Sequence, residues 1–163
     1  MSALTGRLRL INLDGLSLLM IGLVIAGMGV SAYLMWGYTV PGAALACGNS
    51  AGCETVKNSV YAKLAGIPLP VLGLGSYLTL LILLLLQGQP AIGRRGWLPY
   101  VALAIFGISL TGVLYSAYLT YIELYVIYAI CRWCVASAII MIALFGLSMF
   151  NLRNNQSYYS TEG

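Results

Sequence analysis

There is no histidine in this sequence. That absence removes His-ligated zinc, His-ligated haem, a Cys–His catalytic pair and a Ser-His-Asp triad. Covalent haem attachment goes too, because Val135 follows Cys134 where C-x-x-C-H requires histidine. Charge is nearly as scarce: 7% of the 163 residues are Asp, Glu, Lys or Arg, against about 25% in a soluble domain. With 61% hydrophobic residues and a mean hydropathy of +0.92, an ordinary soluble protein is excluded. No basic aromatic patch points to nucleic acid. The length fits one membrane domain.

A charge at the bilayer centre costs about 2.5–3.5 kcal/mol even on the lenient insertion scale. Charge-free runs therefore mark the spans. They predict helices at about residues 16–36, 71–87, 97–121 and 125–150, the last with Arg132 in its first two turns. Continuous apolar runs of this length exclude a β-barrel, whose strands alternate over about ten residues. The expected fold is an all-α integral membrane bundle of four transmembrane helices over residues 1–153. An outer loop, 37–70, and a polar cytoplasmic tail, 154–163, complete it. Asp14 reads as the cap of the first span. That span is too long for the apolar core of a signal peptide, about 7–15 residues. ALAC, Ala44 to Cys47, is only a faint lipoprotein box beyond it.

Arg7, Arg9, Arg94, Arg95 and Arg153 fall on one side of an even-numbered bundle, and Lys57, Lys63 and Arg132 on the other. The positive-inside rule puts the first side, with both termini, in the cytoplasm of a cell inner membrane. All four cysteines then lie outside, where disulfides form and persist.

In the outer loop, GNSAG between Cys47 and Cys53 should turn tightly enough to let the two sulfurs meet. CETVKNSVYAKLAG reads as a short surface helix capping the bundle, with Val56, Val60 and Leu64 on one face. Lys57 and Lys63 would point toward water or headgroups. Gly66 ends that helix, and Pro68 and Pro70 suit an extended approach to the second span.

The cysteines form a C-x5-C and a C-x2-C pair. Static disulfides are one reading, although a bond within C-x-x-C closes too small a loop to stabilise much. A single four-thiolate zinc site in a metal-binding or transport subunit is a second. Redox exchange is the third, and the residues favour it. C-x-x-C at a helix N-terminus beside Arg132 favours a thiolate. The two electrons collected by such a pair need an acceptor. No haem, flavin or iron–sulfur ligand set is available, whereas a lipid-soluble quinone reaches a dithiol at the membrane boundary directly.

CGNSAGCETVKNS, AGIPLPVLGLGSY and YLTYIELYVIYAICRWCVASA together resemble the bacterial branch of the vitamin K epoxide reductase family. The resemblance covers the loop and spans two to four. It implies a four-helix bundle whose loop caps a quinone site. It implies a thiol oxidase that reoxidises a thioredoxin-like periplasmic dithiol protein and reduces a quinone, driving disulfide formation in exported proteins. By that resemblance Cys47 forms the mixed disulfide with the partner. Cys53 exchanges with the membrane pair, Cys131 receives that exchange, and Cys134 delivers electrons to the quinone. Ser59 matches a loop serine that supports activity. Many bacterial relatives carry a fused thioredoxin-like domain, so here the partner is expected as a separate protein or as a domain outside this sequence. The acceptor must be more oxidising than a partner poised near about −120 mV. Ubiquinone fits, menaquinone or phylloquinone are the other candidates, and no metal is expected. The other four-helix quinone-linked disulfide generator carries its cysteine pairs in the reverse order. A passive tetraspan scaffold would not need the cysteines.

Tyr115, Tyr118, Tyr121, Tyr125 and Tyr128 recur every three or four residues. An interfacial aromatic belt explains them. Tyr115 or Tyr118 lining the quinone pocket is the functional alternative. Trp133 reads as a shield of the site or a belt residue. Gly22, Ala26 and Gly29, with Gly107 and Gly112, read as close helix contacts. Glu123 reads as an exposed loop acid in preference to a proton donor for the reduced quinone.

Overall fold

A computed structural model of the chain describes residues 15–40, 52–64, 66–89, 91–92 and 96–160. The elements run α1 (Gly15–Thr39), α2 (Gly52–Lys57), a 3-10 turn (Val60–Ala62), β1 (Lys63–Leu64), β2 (Ile67–Pro68), α3 (Leu69–Gln87), α4 (Leu98–Ile122), a π-helical turn (Glu123–Ile127) and α5 (Arg132–Ser160). Four stretches are long and apolar enough to cross a membrane: Gly15–Thr39, Leu69–Gln87, Leu98–Ile127 and Arg132–Arg153. The chain is therefore an all-α membrane bundle of four spans. Asp14, Cys47 and the 154–163 tail lie outside the residues whose side chains are described.

The spans are apolar on every side, as membrane helices are. Leu18, Leu103, Leu114, Ile139 and Phe150 face outward. Lipid is as apolar as leucine, so close packing and interhelical hydrogen bonds join the helices. Met20, Val24, Tyr77, Leu80, Leu84, Ile105, Met141 and Leu144 form the core. Gly27 lies directly under the Tyr77 ring, and Gly112 under Met141, whose Sδ would stand 2.8 Å from an added Cβ. Gly22, Gly29 and Gly107 face open space, so of the expected glycine contacts only Gly112 marks a close approach. Ala26 is exposed. The Tyr77 hydroxyl reaches the Ser137 hydroxyl at 2.9 Å and donates to its carbonyl at 3.2 Å. At the other end, the Gln87 and Asn151 side-chain amides pair reciprocally at 2.9 and 3.0 Å, tying α3 to α5.

Two expected elements differ. The helix over CETVKNSVYAKLAG stops at Lys57, and the chain continues as a 3-10 turn and a hairpin pairing Lys63 with Pro68 and Leu64 with Ile67. Gly66 turns that hairpin at φ +84, a conformation that glycine adopts freely. Pro68, with φ −58 and ψ 137, leads straight into α3, and Pro70 occupies the first turn, where a missing N–H costs nothing. The fourth span begins at Arg132, later than 125. Residues Glu123–Ile127 widen the end of α4 instead, and Tyr128 at φ 54 reverses the chain. Arg132 is thus the first residue of α5, with its side chain exposed.

Candidate active site

The reversal at Tyr128 sets Cys131 at the N-terminus of α5. The Glu123 carbonyl accepts hydrogen bonds from the Tyr128 and Ala129 N–H groups, the latter at 3.0 Å. The Glu123 carboxylate then accepts the Cys131 N–H at 3.1 Å. Cys131 behaves as a helix cap. Its carbonyl accepts the Val135 N–H at 3.0 Å, and its Sγ accepts the Cys134 N–H at 3.4 Å. Serine or aspartate does the same at ordinary N-caps. Sulfur here meets the positive end of the helix, which favours a thiolate. The Cys131 thiol is accordingly held below its ordinary pKa. The hydrogen bond from the Cys134 side chain is the largest cause, and burial and the Glu123 carboxylate oppose it. The donors at Cys131 are thus the Cys134 thiol and backbone N–H groups of the helix N-terminus, which the sequence offered together with Arg132.

Cys131 and Cys134 are free thiols, while Cys53 is in a disulfide. Cys53 and Cys131, each 2% exposed, pack in one cluster with Tyr33, Leu34, Val56, Trp133 and Cys134 around them. Gly52 makes this approach possible. A Cβ there would run into the Ile130 carbonyl oxygen, with the Ile130 carbonyl carbon at 3.1 Å. The α2 backbone therefore rests directly on the residue before Cys131. Trp133 stacks obliquely on Tyr33, with centroids 4.8 Å apart, and walls the cluster.

Beside the cluster lies a cavity of about 160 Å³, lined by all four spans and the capping segment. The volume is close to the roughly 150 Å³ that accepts a benzene-sized ring. Cys53, Cys131 and Cys134 all border it, together with Tyr38, Lys57 and Tyr115. Tyr38 ties the cap to α1: its hydroxyl donates to the Lys57 carbonyl at 3.1 Å and lies 3.4 Å from the Ala62 carbonyl.

Residues 18–149 match the sequence profile of the vitamin K epoxide reductase family. The chain belongs to the vitamin K epoxide reductase family. It is thus a multi-pass membrane protein of an oxidoreductase family that couples thiol and quinone chemistry.

Set against this family's expected site, the structure brings together Cys53, Cys131, Cys134 and Tyr115. It does not bring Tyr118, which is 54% exposed on the outer face of α4. Tyr115 and Tyr118 are three residues apart, which turns the second ring away from the cavity. Tyr121, Tyr125 and Tyr128 are exposed as well, as a belt requires. The Ser59 hydroxyl donates to the Val56 carbonyl at 2.7 Å, so it closes the end of α2 and does not line the cavity. Lys57, expected in water, is half-buried on the cavity wall. Glu123 is 5% exposed and corrects the expectation of an exposed loop acid. Gly52 and Tyr38 are the site residues that sequence reasoning missed, and Glu123 is one that it named and set aside. A four-thiolate zinc site would need the Cys53 disulfide reduced first. Among the described residues, no group of three or more Cys, Asp or Glu side chains is placed to hold a metal.

Proposed function

We propose that this protein is a thiol oxidase that reoxidises a thioredoxin-like dithiol partner and passes the electrons to a membrane quinone, so driving disulfide formation in exported proteins. The observation that carries the reading is the arrangement of three cysteines around one ring-sized cavity, with Cys53 disulfide-bonded and the Cys131–Cys134 pair as thiols. This combination suits a membrane pair holding two electrons beneath an oxidised loop.

The proposed sequence starts at Cys47, which takes the partner's attacking thiolate in a mixed disulfide. Release of oxidised partner leaves Cys47 and Cys53 as thiols. The Cys53 thiolate attacks the Cys131–Cys134 disulfide at Cys131, which shares its buried cluster. Cys47 then attacks Cys53, which re-forms the loop disulfide and leaves Cys131 and Cys134 reduced. Cys134, on the cavity wall, passes two electrons to the quinone as the Cys131–Cys134 bond closes again. Tyr115 and Lys57 line the ring's place, and Tyr38 holds the cap over it. The cysteine side faces out of an inner membrane, with both termini in the cytoplasm, which the distribution of Arg and Lys supports.

Trapping tests the exchange step. In a Cys47→Ala, Cys134→Ala double variant, only Cys53 and Cys131 remain. Mild oxidation should join them, and mass spectrometry of the digest should find the Cys53–Cys131 bond in most molecules. Two unpaired thiols in the folded protein would remove the relay.

A further inference from the structure

Glu123 is a carboxyl group inside a membrane protein at 5% exposure. Burying such a group is costly, and an intramembrane acid that persists is a functional candidate by default. Its two contacts are specific. One is the Cys131 N–H at 3.1 Å. The other is the Cys134 side chain, whose one S–H is shared between the Cys131 sulfur and the Glu123 carboxylate. The π-helical turn and the left-handed Tyr128 bring the carboxylate onto the Cys131 N–H, and the Cys131 sulfur in turn accepts the Cys134 N–H at 3.4 Å.

The pair is asymmetric. Cys131 receives helix N–H groups and the Cys134 thiol, so its thiolate is supported. Cys134 has no such support, yet under the proposed function its sulfur faces the quinone. Its proton must go somewhere as it reacts. From this geometry we infer that Glu123 is the proton acceptor for Cys134 when the membrane pair is oxidised. The inference rests on the proposed thiol–quinone function. The overall change is Cys131–SH plus Cys134–SH plus quinone giving the Cys131–Cys134 disulfide plus quinol. Cys134 hands its proton to the Glu123 carboxylate as its sulfur becomes the nucleophile. That sulfur adds to the quinone ring, and the Cys131 sulfur then attacks Cys134. The sulfur–sulfur bond forms as the sulfur–carbon bond breaks and leaves its electron pair on the ring, and both thiol protons end on the ring oxygens. Glu123 holds one of them in transit and starts and finishes ionised.

Charge explains the advantage. Moving a proton from Cys134 to Glu123 relocates one negative charge and creates none. Without a base, the thiolate forms only after its proton escapes to water, leaving a new charge in an apolar site. The titratable groups that border the site are Cys131 on α5, Cys53 and Lys57 on α2, Tyr38 on α1, Tyr77 on α3 and Tyr115 on α4. Apart from Cys53, which is replaced in every one, all are common to the variants compared below.

The test compares wild-type Glu123 with Glu123→Gln and Glu123→Asp, all in a Cys47→Ser, Cys53→Ser background that leaves the membrane pair as the only thiols, in single turnovers from the reduced state. One arm uses a short-chain ubiquinone as oxidant. The other uses dithiodipyridine, which releases one thiopyridone when the first thiol of the pair attacks and a second when the other closes the disulfide. Glu123→Gln should slow both quinone reduction and the second thiopyridone release on the order of 100-fold at neutral pH. Its rate should climb about tenfold per pH unit, while the wild-type rate stays flat once Glu123 is ionised. Glu123→Asp, which keeps a carboxylate, should recover much of the rate. Wild-type rates and profile in Glu123→Gln would overturn the inference and leave the quinone function standing. Equal slowing at every pH, unrelieved in Glu123→Asp, would also overturn it, because only positioning would then be lost. A wild-type protein that reduces no quinone, but whose second release still needs Glu123, would sink the proposed function and support the proton role.

Discussion

Gly52→Ala is the change that tests most sharply how the capping segment meets the membrane pair. The residue sits one position before Cys53, and an added Cβ meets the backbone of Ile130, one position before Cys131. The neighbour is a carbonyl group in a segment tied at both ends, by the Ala129 N–H to the Glu123 carbonyl and by the Cys131 N–H to the Glu123 carboxylate. It cannot swing aside as a side-chain tip would. The α2 backbone must instead retreat on the order of 1 Å, and a misplacement of that size can cost about 100-fold in rate. Overpacking of this kind also destabilises by about 1–3 kcal/mol, which a bundle with a full membrane core should survive. The assay is stopped-flow quinone reduction with two reductants. In the proposed relay a reduced thioredoxin-like protein sends electrons through Cys53, whereas dithiothreitol in excess can reduce Cys131–Cys134 directly. Gly52→Ala should lose about 100-fold with the protein partner and change less than about threefold with dithiothreitol. Unchanged partner-driven turnover would refute the packing argument. Equal loss with both reductants would locate the damage in the membrane pair and refute it as well.

Two further outcomes follow from the same geometry. Gly27→Ala should lower stability by about 1–3 kcal/mol, seen as a lower unfolding midpoint in detergent, because the Tyr77 ring fills the space for a side chain. Gly29→Ala, facing open space, should leave the midpoint within error or raise it. Ultraviolet titration of a Cys47→Ser, Cys53→Ser protein should show Cys131 ionising below the usual thiol value of about 8.5. A lowered pKa means that the thiolate is already present at lower pH. Adding Cys134→Ala should move that ionisation upward, since the Cys134 side chain is the largest cause of the lowering.

The four spans were legible because a membrane penalises charge so heavily that its absence marks each crossing. Their ends were less so. The sequence around Glu123 is as apolar as a helix interior, and nothing local signals a π-helical turn or a left-handed tyrosine. The run therefore reads as an early start of the fourth span, and Glu123 as exposed. Helix faces were illegible for a related reason. With apolar residues all round α1, no stripe says which side faces the bundle, so Gly22 and Gly29 looked as suitable as Gly27. The sequence makes the capping helix too long because Val56, Val60 and Leu64 fit helical spacing, while the chain leaves the helix after Lys57, where the Ser59 hydroxyl takes the Val56 carbonyl. Cys53, Cys131 and Cys134 were legible from their spacing and their place beside charge-free runs. Gly52 and Tyr38 were not, since their roles depend on what the fold sets opposite them.

The most direct measurement is quinone reduction, followed by absorbance, in purified protein given a reduced thioredoxin-like partner and compared with Cys47→Ala and Cys134→Ala. A loop-to-membrane relay requires turnover that depends on the partner and is lost in both variants. Turnover that persists in Cys134→Ala, or wild-type protein that reduces no quinone at all, would contradict it.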